Sequence, residues 1–211
     1  MRVNRAKRIY QPSPSNSLRQ CEILSGVSQV IPTSVNFSSV LNTGESGAST
    51  DLALNARVDI LIHNYAIIVT QDCDLDWDYR ERSKPSEKRN PGKMLNSISF
   101  CEVYAAQDIR YDTNRIQNRK DWDKVPGNKN ERFHFFEKIS PECDRQSLGV
   151  PELASDFKQV FSVHADYVYA QLEEGTVKRR ATLFSPYLEH FSSRFYRWHS
   201  RVGLPFQFES E

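Results

Sequence analysis

The run Ala66-Ile-Ile-Val69 passes directly into Thr70-Gln-Asp-Cys-Asp-Leu-Asp-Trp-Asp78. Four apolar residues in a row predict a buried strand. Asp72, Asp74, Asp76 and Asp78 follow at once, and carboxylates cannot stay in a core without partners. The chain is therefore expected to leave the core here and present acids at a strand end.

In an extended segment these four aspartates face one way, and Cys73, Leu75, Trp77 and Tyr79 face the other. Such a row has to be neutralised. A divalent ion on Asp72, Asp74 and Asp76 is one solution, with oxygen donors that suit Mg²⁺, Mn²⁺ or Ca²⁺. A solvated acidic turn paired with Arg80 or Arg82 is the other. A calcium loop does not fit, because Trp77 stands where its glycine belongs and Ser83 where its last glutamate belongs.

A thiol between two aspartates is not activated by its neighbours. A nucleophilic Cys73 needs a histidine, and His134 in Arg132-Phe-His-Phe-Phe136 is the candidate. The catalytic candidates are thus Asp72, Cys73, Asp74 and His134. Cys73, Cys101 and His134 with an aspartate also make up a zinc donor set, while Cys101 reads equally as a small core residue.

The formal net charge is +1, so no global field draws the chain to nucleic acid, and any basic surface is local. Two local clusters stand out. Lys178-Arg179-Arg180 is one. Arg194, Arg197 and Arg201 are the other, spaced three and four apart as on one side of a helix. Both are candidates for phosphate contacts. The second lies on the clearest predicted helix, 186–202, with apolar Tyr187, Leu188, Phe191, Phe195, Trp198 and Val202 on its other face. Ser185 is the expected cap, Pro186 opens the first turn and Gly203 ends it.

Phosphate-loop, dinucleotide, serine-hydrolase and zincin motifs are absent. The four cysteines contain no Cys-x-x-Cys pair. No apolar run approaches the ~20 residues of a membrane span, and no signal peptide is legible. A cytoplasmic home without membrane attachment is expected.

Residues 1–17 read as a basic, Pro- and Ser-rich tail and 32–50 as a long polar loop. Residues 18–211 read as one domain with a C-terminal lobe from about 150. Strands are expected near 21–30, 94–104, 132–136, 157–163 and 167–172, a hairpin or one bent strand from the stretches 57–63 and 65–70, a helix over 107–124, and an exposed loop at 80–93. The fold class is α+β: a curved, mainly antiparallel sheet or small barrel with a C-terminal sheet-and-helix lobe.

Three segments carry a resemblance: Tyr65-Ala-Ile-Ile-Val-Thr-Gln-Asp-Cys-Asp-Leu75, Arg132-Phe-His-Phe-Phe136, and Ser185-Pro-Tyr-Leu-Glu-His-Phe-Ser-Ser-Arg-Phe195 running to Arg201-Val-Gly-Leu-Pro205. Together they resemble a group of uncharacterised bacterial proteins. The resemblance implies a bacterial or phage-related protein from a mobile or antiviral-defence neighbourhood, and carries no catalytic residue across. Val58-Asp-Ile-Leu-Ile62 followed by Ala66-Ile-Ile-Val-Thr70 is similar to the first strands of MazF-type toxin barrels, which cut RNA. The Arg-Pro of those barrels is replaced here by Asn64-Tyr65.

The leading expectation is a cytosolic nucleic-acid-associated protein. Its site would lie at 72–78, with a divalent Mg, Mn or Zn ion activating water for phosphodiester cleavage, and phosphate would be held by Arg179, Arg180, Arg194, Arg197 and Arg201. One alternative is a protein-binding or scaffold subunit that docks through the 80–93 loop or the C-terminal helix. The other is a thiol enzyme using Cys73 and His134.

Overall fold

The computed structural model describes residues 9–14, 16–34 and 57–201. Most of the 1–17 tail, most of the 32–50 loop, and Val202, Gly203 and the Leu204-Pro205 end of the C-terminal motif lie outside the described residues.

Among the described residues seven strands form one antiparallel sheet in the order β1-β7-β2-β3-β4-β6-β5. They are β1 (Tyr10–Pro12), β2 (Glu22–Ser34), β3 (Arg57–Ile68), β4 (Ser97–Ala105), β5 (Phe133–Phe136), β6 (Leu153–His164) and β7 (Lys178–Leu183). The helices with a full range among the described residues are α1 (Asp72–Arg82), α2 (Ala106–Tyr111), α3 (Arg119–Asp123), α4 (Ala165–Glu174) and α5 (Tyr187–His199). The α+β expectation with an antiparallel sheet holds. The sheet stays open, with β1 and β5 as its edges, so the barrel alternative drops out. Register shifts in β2 and β4 mark bulges, which bend and twist a sheet.

Apolar runs without alternation arise because both faces of the sheet are covered. Ile67 packs with Ile23, Cys101, Phe157 and Leu183 on the face under α5. Its neighbours Ala66 and Ile68 pack with Leu24, Phe100, Leu75 of α1 and Val168 of α4 on the opposite face. A strand buried on both sides needs apolar residues at every position. A smaller cluster of Ile109, Ile116, Val125 and Phe133 seats α2 and the segment that leads into β5.

Four sequence expectations are corrected. First, residues 10–12, read as tail, pair with β7, and Tyr10 is buried. Second, 167–172, expected as a strand, belongs to helix α4. Its Ala165 and Val168 are buried three apart, and left-handed Gly175 ends it. Third, the segment from about 150, read as a lobe, supplies β6 and β7 to the interior of the common sheet. Fourth, the acidic segment 72–78 is helical rather than extended. Asp72 and Asp74 sit in its first turn and Arg80 and Arg82 in its last, which matches the helix dipole. Asp76–Arg80 and Asp78–Arg82 add ion pairs one turn apart. The 80–93 loop begins as the end of α1 and continues through single turns at Ser86–Lys88 and Pro91–Lys93.

The distal half of the β2–β3 ribbon is solvent-exposed, with Val30, Val58, Ile60, Leu61 and Ile62 at its surface. Its base is pinned by His63, whose ring stacks on Phe161 and sits between Glu102 and Gln29. No helix among the described residues is long and apolar enough to cross a membrane.

Candidate nucleic-acid interface

Helical geometry scatters the aspartates. Successive residues turn by about 100°, so Asp72 and Asp76 share one side of α1 while Asp74 and Asp78 point elsewhere. Three of the four then have partners of their own. Asp72 accepts from Arg19 Nε at 2.7 Å and from the Gln20 N–H. Asp76 pairs with Arg80 at 2.8 Å. Asp78 is fully buried and accepts from Arg82, the Leu95 N–H and the Tyr169 hydroxyl. Asp72, Asp74 and Asp76 do not converge, and no group of three or more His, Cys, Asp or Glu among the described residues is placed to hold a metal ion.

Cys73 is exposed near Gln71 and Asp74. His134 is buried on β5 between Phe136, Phe157, Phe191 and His190. The two line different cavities and share no partner, so the proposed thiol–imidazole pair does not form here. Cys101 is a core residue.

The arginines divide into two groups. Arg179 grips Glu22 with a two-pronged fork, 2.5 and 2.8 Å, and also donates to the carbonyls of Asn16 and Ser17. Arg180 does the same to buried Asp144 at 2.8 and 2.7 Å and caps the Gly149 carbonyl. Burial raises the Asp144 carboxyl, but the Arg180 fork and the N–H groups of Gln146 and Leu148 outweigh it and hold the group below the ordinary carboxylate range. Both arginines are therefore occupied inside the fold. Arg132–Asp156 and Arg82–Asp78 repeat the device, so buried carboxylates on β2, α1, β6 and before Ser147 are each clamped by one guanidinium.

The α5 arginines face a concavity. His190, Arg194, Arg197, Trp198 and Arg201 line one wall, and the turn Asn128–Glu131 lines the other, around a cavity of about 650 Å³. Phe191 and Phe195, on the far side of the helix, are buried against Phe157. This fixes the rotation of α5 and aims its polar side outward.

Arg194 staples the two walls together. It donates to the carbonyls of Asn128, Asn130 and Phe133, the last at 2.9 Å, and has no carboxylate partner among the described residues. Burial lowers its pKa, and only Glu131 works against that. The Asn128 side chain bonds the backbone of Phe135 in both directions and fixes the turn. Arg201 lies 3.1 Å over the Trp198 ring and 4.0 Å from Glu131. Lys129 and Arg197 are exposed and form no ion pair among the described residues. Lys129, Arg194, Arg197 and Arg201 thus face Glu131 alone as countercharge among the lining residues.

Arg194, Arg197 and Arg201 are legible in the sequence as part of this wall, whereas Lys129, Asn128 and His190 are additions from the structure. His190 precedes Arg194 by four residues and so extends the same helical row, which was a readable signal. Lys129 lies far from α5 in sequence and joins only through the turn.

No protein-family model matches the chain, and neither a curated protein nor a solved structure matches it.

Proposed function

We propose that the chain binds nucleic acid and holds its phosphates in the groove between α5 and the Asn128–Glu131 turn. The observation that carries this reading is the excess of cations on a concave wall, with Lys129 and Arg197 free of ion pairs among the described residues. A cation that faces a concavity without a carboxylate bonded to it is suited to a mobile anion. Trp198 and His190 in the same wall favour a partner that offers rings as well as phosphates. The cationic wall acts by positioning. Asp72, Asp76 and Asp78 of α1 are paired elsewhere, so the reading includes no metal-dependent cleavage step.

The test is fluorescence anisotropy with a labelled single-stranded oligonucleotide over a salt series. Wild-type affinity should fall steeply with salt. Lys129→Glu/Arg197→Glu should weaken binding and flatten the log–log slope by roughly 0.7–0.9 for each phosphate that is no longer neutralised. No binding at low salt, or an unchanged slope in the variant, would overturn the reading.

A further inference from the structure

A second cavity adjoins the groove. It has a volume of about 330 Å³ and shares Asn128 and His190 with it, and its walls are rich in rings: Tyr10, His134, Phe135, Phe136, Tyr187 and His190. That volume suits one small ring system.

His134 supplies the second observation. Its side chain is only 5% exposed, and its Nδ1 has no hydrogen-bond partner among the described residues. Buried polar atoms are almost always satisfied. His134 lines the cavity, so a polar atom that enters beside its ring could satisfy Nδ1. Burial first, then the charges of Arg194 and His190, hold the ring neutral. A neutral imidazole keeps one donor and one acceptor, and so reads a polar ring edge rather than an anion. Tyr10 cannot play this part, because its hydroxyl already donates to the Glu137 carbonyl at 2.8 Å. Tyr187 and His190 are exposed at the rim, where a planar ring would stack.

Cations in one compartment and rings around an unsatisfied imidazole in the next match the two halves of a nucleotide. We propose that this cavity receives one unpaired base of a single-stranded nucleic acid, with His134 Nδ1 bonding its polar edge and Tyr187 stacking on its face. The inference rests on the groove reading above. A base stacked in a duplex cannot enter, so the site selects single strands.

Anisotropy titrations with three probes of equal length test this: an intact single strand, the same strand with every base replaced by an abasic site, and a blunt duplex. The intact strand should bind on the order of 10-fold more tightly than the abasic one, because the abasic strand offers no base to stack on an aromatic ring. Tyr187→Ala should lower affinity for the intact strand to the abasic level and leave the abasic strand unaffected. His134→Leu should act in the same direction. Equal binding of intact and abasic strands, or duplex binding as tight as single-strand binding, overturns the base pocket and leaves the groove standing. Absence of binding by all three probes at low salt overturns both.

Discussion

Replacing Arg180 by methionine would separate the structural arginines from those of the groove. Arg180 Nε and Nη2 reach the two Asp144 oxygens at 2.8 and 2.7 Å, and both residues are buried, Arg180 on β7 itself. Methionine keeps much of the side-chain volume but removes the charge. Asp144 would then be a buried carboxylate with only the N–H groups of Gln146 and Leu148 to hold it. Removing one member of such a pair costs about 3–5 kcal/mol. For a chain of 211 residues that is a fall in Tm of roughly 6–20 °C. Arg180→Met/Asp144→Leu removes both charges and should recover most of the loss, because the unpaired carboxylate is gone. Urea unfolding gives the free energies, and oligonucleotide binding is measured on the folded fraction. The fork also predicts a pH dependence. The Asp144 pKa is depressed in the folded state, so its contribution is complete above the ordinary carboxylate value of ~3.9 and lost as pH falls toward the folded value. A stable Arg180→Met protein that binds oligonucleotide poorly would refute this assignment and return Arg180 to the binding surface.

Other outcomes follow from the buried groups. His134 has a folded pKa held well below the ordinary value. Below about pH 6.5 the unfolded chain takes up a proton that the folded chain refuses, so stability should fall as pH drops, by up to ~1.4 kcal/mol per pH unit for this one proton. His134→Leu should flatten that dependence in urea titrations, and an unchanged slope would count against the buried, neutral ring. Native protein should show one reactive thiol to an alkylating reagent, Cys73, since Cys21, Cys101 and Cys143 are buried and burial pushes the Cys21 thiol up to about 12. Rapid labelling of a second cysteine without unfolding would contradict the packing. Asp78→Asn should cost about 2–4 kcal/mol, because one amide cannot replace a carboxylate that accepts from Arg82, Leu95 and Tyr169. Thermal unfolding of the variant checks this, and an unchanged Tm would sink the claim.

Much of the fold was readable because local pattern and tertiary environment agree. Phe191 and Phe195 announce α5 through helical spacing, and both end in the core. Ile67 and its neighbours announce β3 through an unbroken apolar run. The pattern misled where two periods compete. Alternating Asp and non-Asp residues at 72–78 fit a strand on paper, but Asp76–Arg80, Asp78–Arg82 and the helix dipole all reward a helix. The segment 167–172, expected as a strand, is helical because Ala165 and Val168 bury one face and Gly175 supplies the left-handed stop. The site was half legible. The Arg194–Arg197–Arg201 row follows from spacing alone, whereas the fate of Arg179 and Arg180 depends on Glu22 and Asp144, whose distance in sequence hides them. The orphaned Nδ1 of His134 is a property of packing and has no sequence signature.

The central claim is that α5 and the Asn128–Glu131 turn, rather than the Arg179–Arg180 pair, meet nucleic acid. Arginine-specific modification read by mass spectrometry, with and without a saturating single-stranded oligonucleotide, tests it residue by residue. Arg197 and Arg201 should be modified in the free protein and protected in the complex, while Arg179 and Arg180 stay largely unmodified in both. Equal labelling of Arg197 with and without the oligonucleotide, or protection that appears at Arg179 and Arg180 instead, would contradict it.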